Sequence, residues 1–486
     1  MMSKDVTRKN MFAFGIGDIY GGGAFFIIGS LFLVFLTDIA GLRGSIAGII
    51  ILLGKVWDAV TDPTMGYISD HTKSKYGRRR LYFIIGIVPI FLSFALLWFS
   101  FSSTEVIKFI YYLFVYLLFN TVFTMVMVPY NSLPAEMTTD YEKRSKLIGV
   151  RMLFSQLGML LGAVFAKTIV NQFPSEANGY IVMGLVFGLI YAIPWFFVYK
   201  GTFERDHVVI EDKVAFRYAF KALMKEFIST FNNKSLKIHV TMYLCAFVAM
   251  DIFNALFIYY LRDYLHMETS YQLLLGVLVM TQIFSLILVV QECKKSGNAK
   301  TYRRHLFIWG IGFAVFAFIS QDSPTTVLLG TSMIVGMGLS GAVMVPYNML
   351  AFVTDADEIM TKRRREGTYS GMMTFVRKIA QAIALFLVGV GIEAVGYQSS
   401  ELGNQIIQST ETITGIRLMF LVAPAILLLI GFIVSFNFKI SPVNHKILIN
   451  EIDRLKSGGL KNQVDPETKE VVEVITGQSY NDLWKD

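Results

Sequence analysis

The chain is short of charge and of cysteine, and its N-terminal region has no processing signal. Charged residues make up 16% of 486 positions, against roughly 25% in an average soluble domain. That shortage excludes an ordinary water-soluble protein, because soluble chains of this length divide into domains that each need a polar surface. Two cysteines, Cys245 and Cys293, cannot form a disulfide framework. With only six histidines and no nucleophile–base arrangement, no enzyme activity is expected. No cleavable signal peptide is visible, since the run Phe12–Thr37 is too long and lacks a small-residue cleavage site. The glycine-rich run Gly15–Gly23 is not a phosphate loop, because no strand precedes it and no Lys-Ser/Thr follows. Its glycines suit close helix packing instead.

What is abundant is apolar surface. Hydrophobic residues form 54% of the chain and aromatics 14%, with 41 Phe. Lipid can take the place of a single large core. A spanning helix needs about 20 mostly apolar residues, and the sequence predicts twelve such spans. They lie near 12–37, 46–69, 81–102, 106–131, 147–170, 179–199, 239–261, 271–291, 305–320, 325–352, 372–395 and 417–438, the ninth being the shortest. Basic residues gather in alternate loops: Lys73 to Arg80, Lys143 to Lys146, Lys294 to Arg304 and Lys362 to Arg365. The opposite loops, such as 171–179 and 321–325, are almost free of them. By the positive-inside rule both termini are cytoplasmic. The net charge of +8 is therefore a topology signal, and no nucleic-acid partner is expected.

The pentapeptide Met127-Val-Pro-Tyr-Asn131 recurs unchanged as Met344-Val-Pro-Tyr-Asn348. Each copy closes an apolar run and opens onto a charged loop, which points to two homologous halves with a shared central site, as in membrane transporters. The expected organisation is a six-helix bundle over 1–200, a cytoplasmic central loop over 201–238, a second bundle over 239–439 and a cytoplasmic tail over 440–486. Within the loop, Val214–Phe231 reads as a basic amphipathic helix on the inner membrane surface or packed on the bundle. In the tail, Leu448, Ile452 and Leu455 predict one short helix.

An ionisable residue inside a span is expensive, so each is a candidate functional group. The second span carries Lys55, Asp58, Thr61 and Asp62. Asp58 and Asp62, spaced i,i+4, share one helical face. Two carboxylates in a low dielectric become tolerable when they hold a cation or share a proton, and hard oxygen ligands suit Na⁺ or H⁺ better than a transition metal. The competing expectation is a buried Lys55–Asp58 pair that only shapes the bundle. Other candidates are Asp18 in the first span, Arg151 opening the fifth, Asp251 in the seventh, and Arg377 and Lys378 in the eleventh. Carboxylates and guanidinium groups suit forked hydrogen bonds to sugar hydroxyls. Tyr20, Tyr130 and Tyr347 can cover the apolar face of a sugar ring, and Asn131 can face the cavity. Arg151 could instead snorkel to the cytoplasmic interface, and Asp251 could be a structural partner of Arg377 or Lys378. Lys167 and Glu292 are expected at the interface.

Lys55–Gly66 followed by Asp70 and Gly77-Arg-Arg-Arg80 resembles the glycoside–pentoside–hexuronide:cation symporters. The resemblance continues through Val128–Glu136, Val345–Asn348, Asp355–Glu358 and Arg363–Ser370, and covers nearly the whole chain. It implies an all-α membrane protein of the major facilitator fold, with two six-helix bundles around a cavity. It also implies Asp58 and Asp62 as ligands of Na⁺, Li⁺ or H⁺, with Thr124 in support. Asp18 and Arg151 would be sugar ligands, and Lys378 would lie near both sites. The chain departs from the family's best-known member at Met127, where that member has a carboxylate, and at Thr61, where it has asparagine. Fewer carboxylates beside retained Arg151 and Lys378 favour an acidic sugar, such as a uronide or a sulfonated sugar, over a neutral galactoside. The expected protein is a multi-pass, monomeric symporter of a bacterial inner membrane, in contact with lipid and without a cofactor beyond the coupling ion. A carrier of lipid-like solutes and a non-transporting sugar sensor are the alternatives.

Overall fold

In lipid, each backbone N–H and C=O must be satisfied within its own segment, so long apolar runs fold as helices. The computed structural model describes residues 6–138, 140–204, 224–363, 365–400 and 406–484, and the regular elements among them are helical. In chain order they are α1 (Arg8–Gly15), α2 (Asp18–Ile27), α3 (Gly44–His71), α4 (Arg80–Ile85), α5 (Ile87–Leu96), α6 (Glu105–Met137), α7 (Tyr141–Val170), α8 (Glu176–Ala192) and α9 (Pro194–Gly201). There follow α10 (Lys234–Tyr259), α11 (Tyr271–Ser296), α12 (Asn298–Phe318), α13 (Thr325–Thr361), α14 (Glu366–Ala394) and α15 (Thr410–Ser435), then α16 (Pro442–Lys456) and α17 (Pro466–Thr476) in the tail.

Among the described residues, ten helices are long and apolar enough to cross a membrane. The expected third span is broken at Gly86 into α4 and α5. The expected ninth, α12, has Lys300, Arg303 and Arg304 in its first turns. Three π-helical turns interrupt the regular helices: Ile28–Phe32 and Phe35–Ile39 after α2, and Tyr260–Tyr264 after α10.

The chain forms two compact units. The first comprises Met1–Phe216, Asp251–Val279 and Ala382–Phe420; the second comprises Arg217–Met250, Met280–Gln381 and Leu421–Asp486. The core of the first unit is aromatic. Trp98 stacks on Tyr180 at 5.7 Å and meets Phe32 and Phe35 edge-on, while Trp195 meets Tyr20 and Tyr130. The glycine-rich run presses against α7: a Cβ on Gly22 would lie 2.3 Å from the Ser155 carbonyl oxygen, and one on Gly158 would lie 2.4 Å from that of Ile19.

In the second unit the tail is docked, with two helices where one was expected. His445 pairs with Asp355 at 2.8 Å and Lys456 with Glu358 at 2.7 Å. The Ser235 hydroxyl donates to the Ile475 carbonyl, and the Trp484 amide to that of Ile359. Burial and the neighbouring Glu451 carboxylate push the Tyr480 hydroxyl up to about 12. Of the expected amphipathic helix, residues 214–223 lie outside the described residues. Its remainder is helical over 224–230, and Phe227 faces Phe375 of α14 at 6.0 Å.

Candidate functional site

Charged residues of the first unit meet in several clusters, three of which lie at or beside the expected site residues. The first is on α3. Lys55 Nζ stands 3.7 Å from Asp58 Oδ2, and both side chains are almost completely buried. The Lys55 ammonium also sits over the Phe25 ring, 4.3 Å from its centroid. One turn further, Asp62 Oδ1 accepts a 2.7 Å hydrogen bond from the Thr124 hydroxyl of α6. The two helices are close here because a Cβ on Gly54 would lie 2.2 Å from the Tyr116 ring. They are tied again by the Trp57 indole N–H, which donates to Thr121 at 2.9 Å.

Pro63 lies inside α3, where it removes one amide donor and frees the carbonyl one turn before it. The Thr61 and Thr64 hydroxyls flank it and donate to the Trp57 and Val60 carbonyls at 3.2 and 2.6 Å. The Thr61 proton is thus used within the helix, and its oxygen keeps lone pairs for a cation.

The second place joins α2 to α7. Arg151 Nε donates to Asp18 Oδ2 at 3.0 Å, with Asp18 buried and Arg151 partly exposed. Ser155 adds a hydroxyl to the same carboxylate. The Arg151 guanidinium lies over the Tyr130 ring at 5.3 Å. Only one of its five N–H donors is engaged by the Nε bond, so the planar fork keeps donors for a ligand. Arg151 therefore points inward to Asp18 and does not snorkel. Met127 approaches the same carboxylate: a Cβ on Gly21 would touch both Met127 Cε and Asp18 Oδ1.

Two of the expected ring-covering tyrosines are placed differently. Tyr20 is wholly buried among Phe119, Phe123, Tyr191 and Trp195, so it packs the bundle and offers no face to a sugar. Tyr130 is equally buried, stacked on Phe14 with its hydroxyl donating to the Phe14 carbonyl at 2.7 Å. Asn131 is exposed. Asp251 is buried on α10 within the first unit. In the second unit, Lys378 is partly buried on α14, and Arg377 lies over the Phe247 ring at 4.8 Å.

The third place is the basic loop before α4, where a residue that had drawn no notice organises the turn. Glu204 accepts from the backbone amides of Arg78, Arg79 and Arg80 at 2.9, 2.9 and 2.7 Å, capping α4. A carboxylate there satisfies helix-start donors and complements the dipole. Gly77, at φ +100°, makes the turn; a Cβ on it would lie 2.8 Å from Glu204. Arg79 bridges Asp70 and Glu136 at 2.6 and 3.0 Å. Lys167, in the last turn of α7, is only 2% exposed and pairs with Glu176 and Glu268 at 3.1 and 3.0 Å.

Buried cations paired with carboxylates on membrane helices, repeated halves and a helical fold identify a class, and comparison with known proteins places the chain within it. The family described as "MFS/sugar transport protein" matches residues 13–442. The chain belongs to this major facilitator sugar transport family. It is 26% identical to an uncharacterised symporter of Bacillus subtilis, across 92% of this chain and 96% of the relative. A glucuronide carrier protein homolog of Escherichia coli is 25% identical, across 94% and 97%. A sodium-dependent lysophosphatidylcholine symporter of Danio rerio is 22% identical, across 92% and 87%. A solved bacterial homolog of the lysosomal transporter Spinster, inward-facing and unoccupied, superposes with a TM-score of 0.63 over 89% of this chain and 98% of that one, at 13% identity. The protein is a multi-pass membrane transporter and not an enzyme.

Proposed function

We propose that this transporter is a cation-coupled sugar symporter of a bacterial inner membrane, with twelve spans, cytoplasmic termini and an acidic sugar as cargo. The observation that carries the reading is the hydrogen bond from Thr124 to Asp62 beside the buried Lys55–Asp58 pair. It ties α3 to α6 at the point where two carboxylates lie one turn apart. A Na⁺ ion or a proton bound by Asp58 and Asp62, with hydroxyl oxygens from Thr61 and Thr124, lowers their repulsion and fixes α3 against α6. The guanidinium donors of Arg151, anchored by Asp18, then bind the sugar with Asn131. The glucuronide carrier homolog among the relatives supports an acidic sugar. The loaded bundles rock to deliver cargo inward; one charge crossing 100 mV supplies about 2.3 kcal/mol, enough for tens-fold accumulation.

Uptake in energised membrane vesicles tests this reading. Asp58→Cys and Asp62→Cys each lose concentrative uptake while keeping downhill exchange; either variant still concentrating sugar refutes the cation site. A second reading, a carrier of lipid-like solutes, is favoured by the lysophosphatidylcholine symporter among the relatives. Competition separates the two: glucuronides that displace labelled substrate while a lysolipid does not support the sugar reading, and the reverse pattern refutes it.

A further inference from the structure

The first unit holds another charged centre, well separated along α3 from the cation residues. Arg262 is its hub. Its guanidinium donates to Asp38, to both oxygens of Asp263 at 2.8 and 3.0 Å, and to the Tyr397 hydroxyl at 2.6 Å. Tyr397 in turn donates to Asp38 at 2.8 Å. Segments distant in the chain, around residues 38, 262 and 397, are thereby joined. We propose that this cluster is a latch that holds the outer side of the transporter shut and must open in every cycle. The proposal rests on the alternating-access reading above.

Three features distinguish the latch from ordinary bundle packing. First, both partners of its central ion pair stand on π-helical turns, Asp38 on Phe35–Ile39 and Arg262 with Asp263 on Tyr260–Tyr264. Such turns make up well under about 1% of residues and concentrate at functional points. Second, its contacts are ion pairs and hydroxyl bonds beside a cavity of about 140 Å³, lined by Asp38, Arg262, Asp263 and Tyr397 together with Ile406 and Ile413. Water can replace such contacts one for one as they part. The stacked rings around Trp98 have no such substitute, so that core stays closed.

Third, the helices beside the cluster approach at bare backbone, with Glu393 of α14 accepting from the Ser45 amide of α3 at 2.8 Å. A Cβ on Gly389 of α14 would lie 2.3 Å from the Gly44 carbonyl oxygen of α3, and one on Gly44 would lie 2.4 Å from that of Gly389. Bare backbones can part and rejoin without repacking. Gly44 begins the helix that carries Asp58, about 21 Å along a rigid rod at 1.5 Å per residue. Cation occupancy at Asp58 and Asp62 thus acts on a helix whose first turn packs on α14, the helix that leads to Tyr397.

Labelling of a buried reporter tests the latch. Ser400 lies in the cluster, nearly inaccessible, with its hydroxyl donating to the Asp38 carbonyl at 2.8 Å. A Ser400→Cys reporter, with Cys245 and Cys293 replaced by alanine, is exposed to a membrane-impermeant maleimide in right-side-out vesicles. Arg262→Gln removes the hub's charge, and Gly389→Val wedges the backbones apart; each is expected to raise the labelling rate by about tenfold or more. Arg262→Lys keeps charge but loses the fork, and is expected to fall between. Unchanged labelling in variants that elute as folded protein overturns the latch. So does a folded, still shielded Gly389→Val beside an Arg262→Gln that fails to fold, because the cluster is then structural. Labelling requires no cargo, so the outcomes separate: no sugar uptake by the unsubstituted protein refutes the symporter reading alone, and normal coupled uptake with unchanged labelling in the latch variants refutes the latch alone.

Discussion

The two copies of Met-Val-Pro-Tyr-Asn are identical in sequence, and their tyrosines sit in different surroundings. In the first unit Tyr130 has no exposed surface; Phe14 stacks on it at 4.5 Å, Trp195 meets it edge-on, and its hydroxyl is spent on a backbone carbonyl. In the second unit Tyr347 is 51% exposed, meets Tyr243 and Phe247 edge-on, both at 5.7 Å, and shares a long 3.4 Å hydroxyl contact with Tyr243. There the fixed point is Pro346, whose carbonyl accepts from the buried His239 imidazole at 2.7 Å. The same five residues thus serve as a buried anchor in one copy and as a histidine-tethered turn with an open aromatic face in the other. A repeated motif specifies a repeated helix; the surrounding elements decide which side chain carries the load.

Substitution can break this contrast. The largest effect is expected from Tyr130→Ala, which opens a cavity in the aromatic core and costs about 3–5 kcal/mol, whereas Tyr347→Ala costs under about 1 kcal/mol. Thermal unfolding of the purified protein in detergent measures both, and equal losses would mean that the two copies are alike. His239→Leu comes next, at about 1–3 kcal/mol, because the Pro346 carbonyl loses its buried donor; an unchanged melting temperature would show that water or another donor replaces it. Tyr130→Phe removes one hydrogen bond and is expected to lose only about 0.6–1 kcal/mol, with Tyr347→Phe near zero. The smallest stability change is expected at Asn131, which is exposed. There Asn131→Ala leaves the melting temperature unchanged and raises the KM for sugar by roughly threefold to tenfold, on the order of one lost hydrogen bond. A shift in melting temperature without a shift in KM would instead make Asn131 structural.

Much of the candidate site was legible because its elements are local. Charges inside apolar runs announce themselves, and i,i+4 spacing put Asp58 and Asp62 on one face of α3. Asp18 and Arg151, expected as sugar ligands, lie at hydrogen-bond distance from each other, as do Thr124 and Asp62, expected around the cation. Other features left no local signal. Glu204 is an ordinary carboxylate in its sequence neighbourhood, yet it caps α4 across more than a hundred residues. Lys167 reads as an interfacial cation because the two carboxylates that bury it lie in other segments. Tyr20 reads as a ring that can cover a sugar, but the helix rotation turns it into the aromatic core. The broken third span was masked by continuous hydropathy, since Gly86 and Pro89 interrupt a helix without adding polarity.

The sequence by itself determined that this chain is an all-helical membrane protein with an exact internal repeat and with acidic and basic groups inside its apolar runs. Hydropathy, charge placement and an exact repeat are local properties, and the bilayer imposes helices on any chain that carries them. Which charges meet was left to the tertiary structure. Asp18 found Arg151, Asp62 found Thr124, and Arg262 drew Asp38 and Tyr397 together, because partner choice depends on helix rotation and close approach at glycines. Those are set by packing between segments far apart in the chain, where sequence spacing carries no distance.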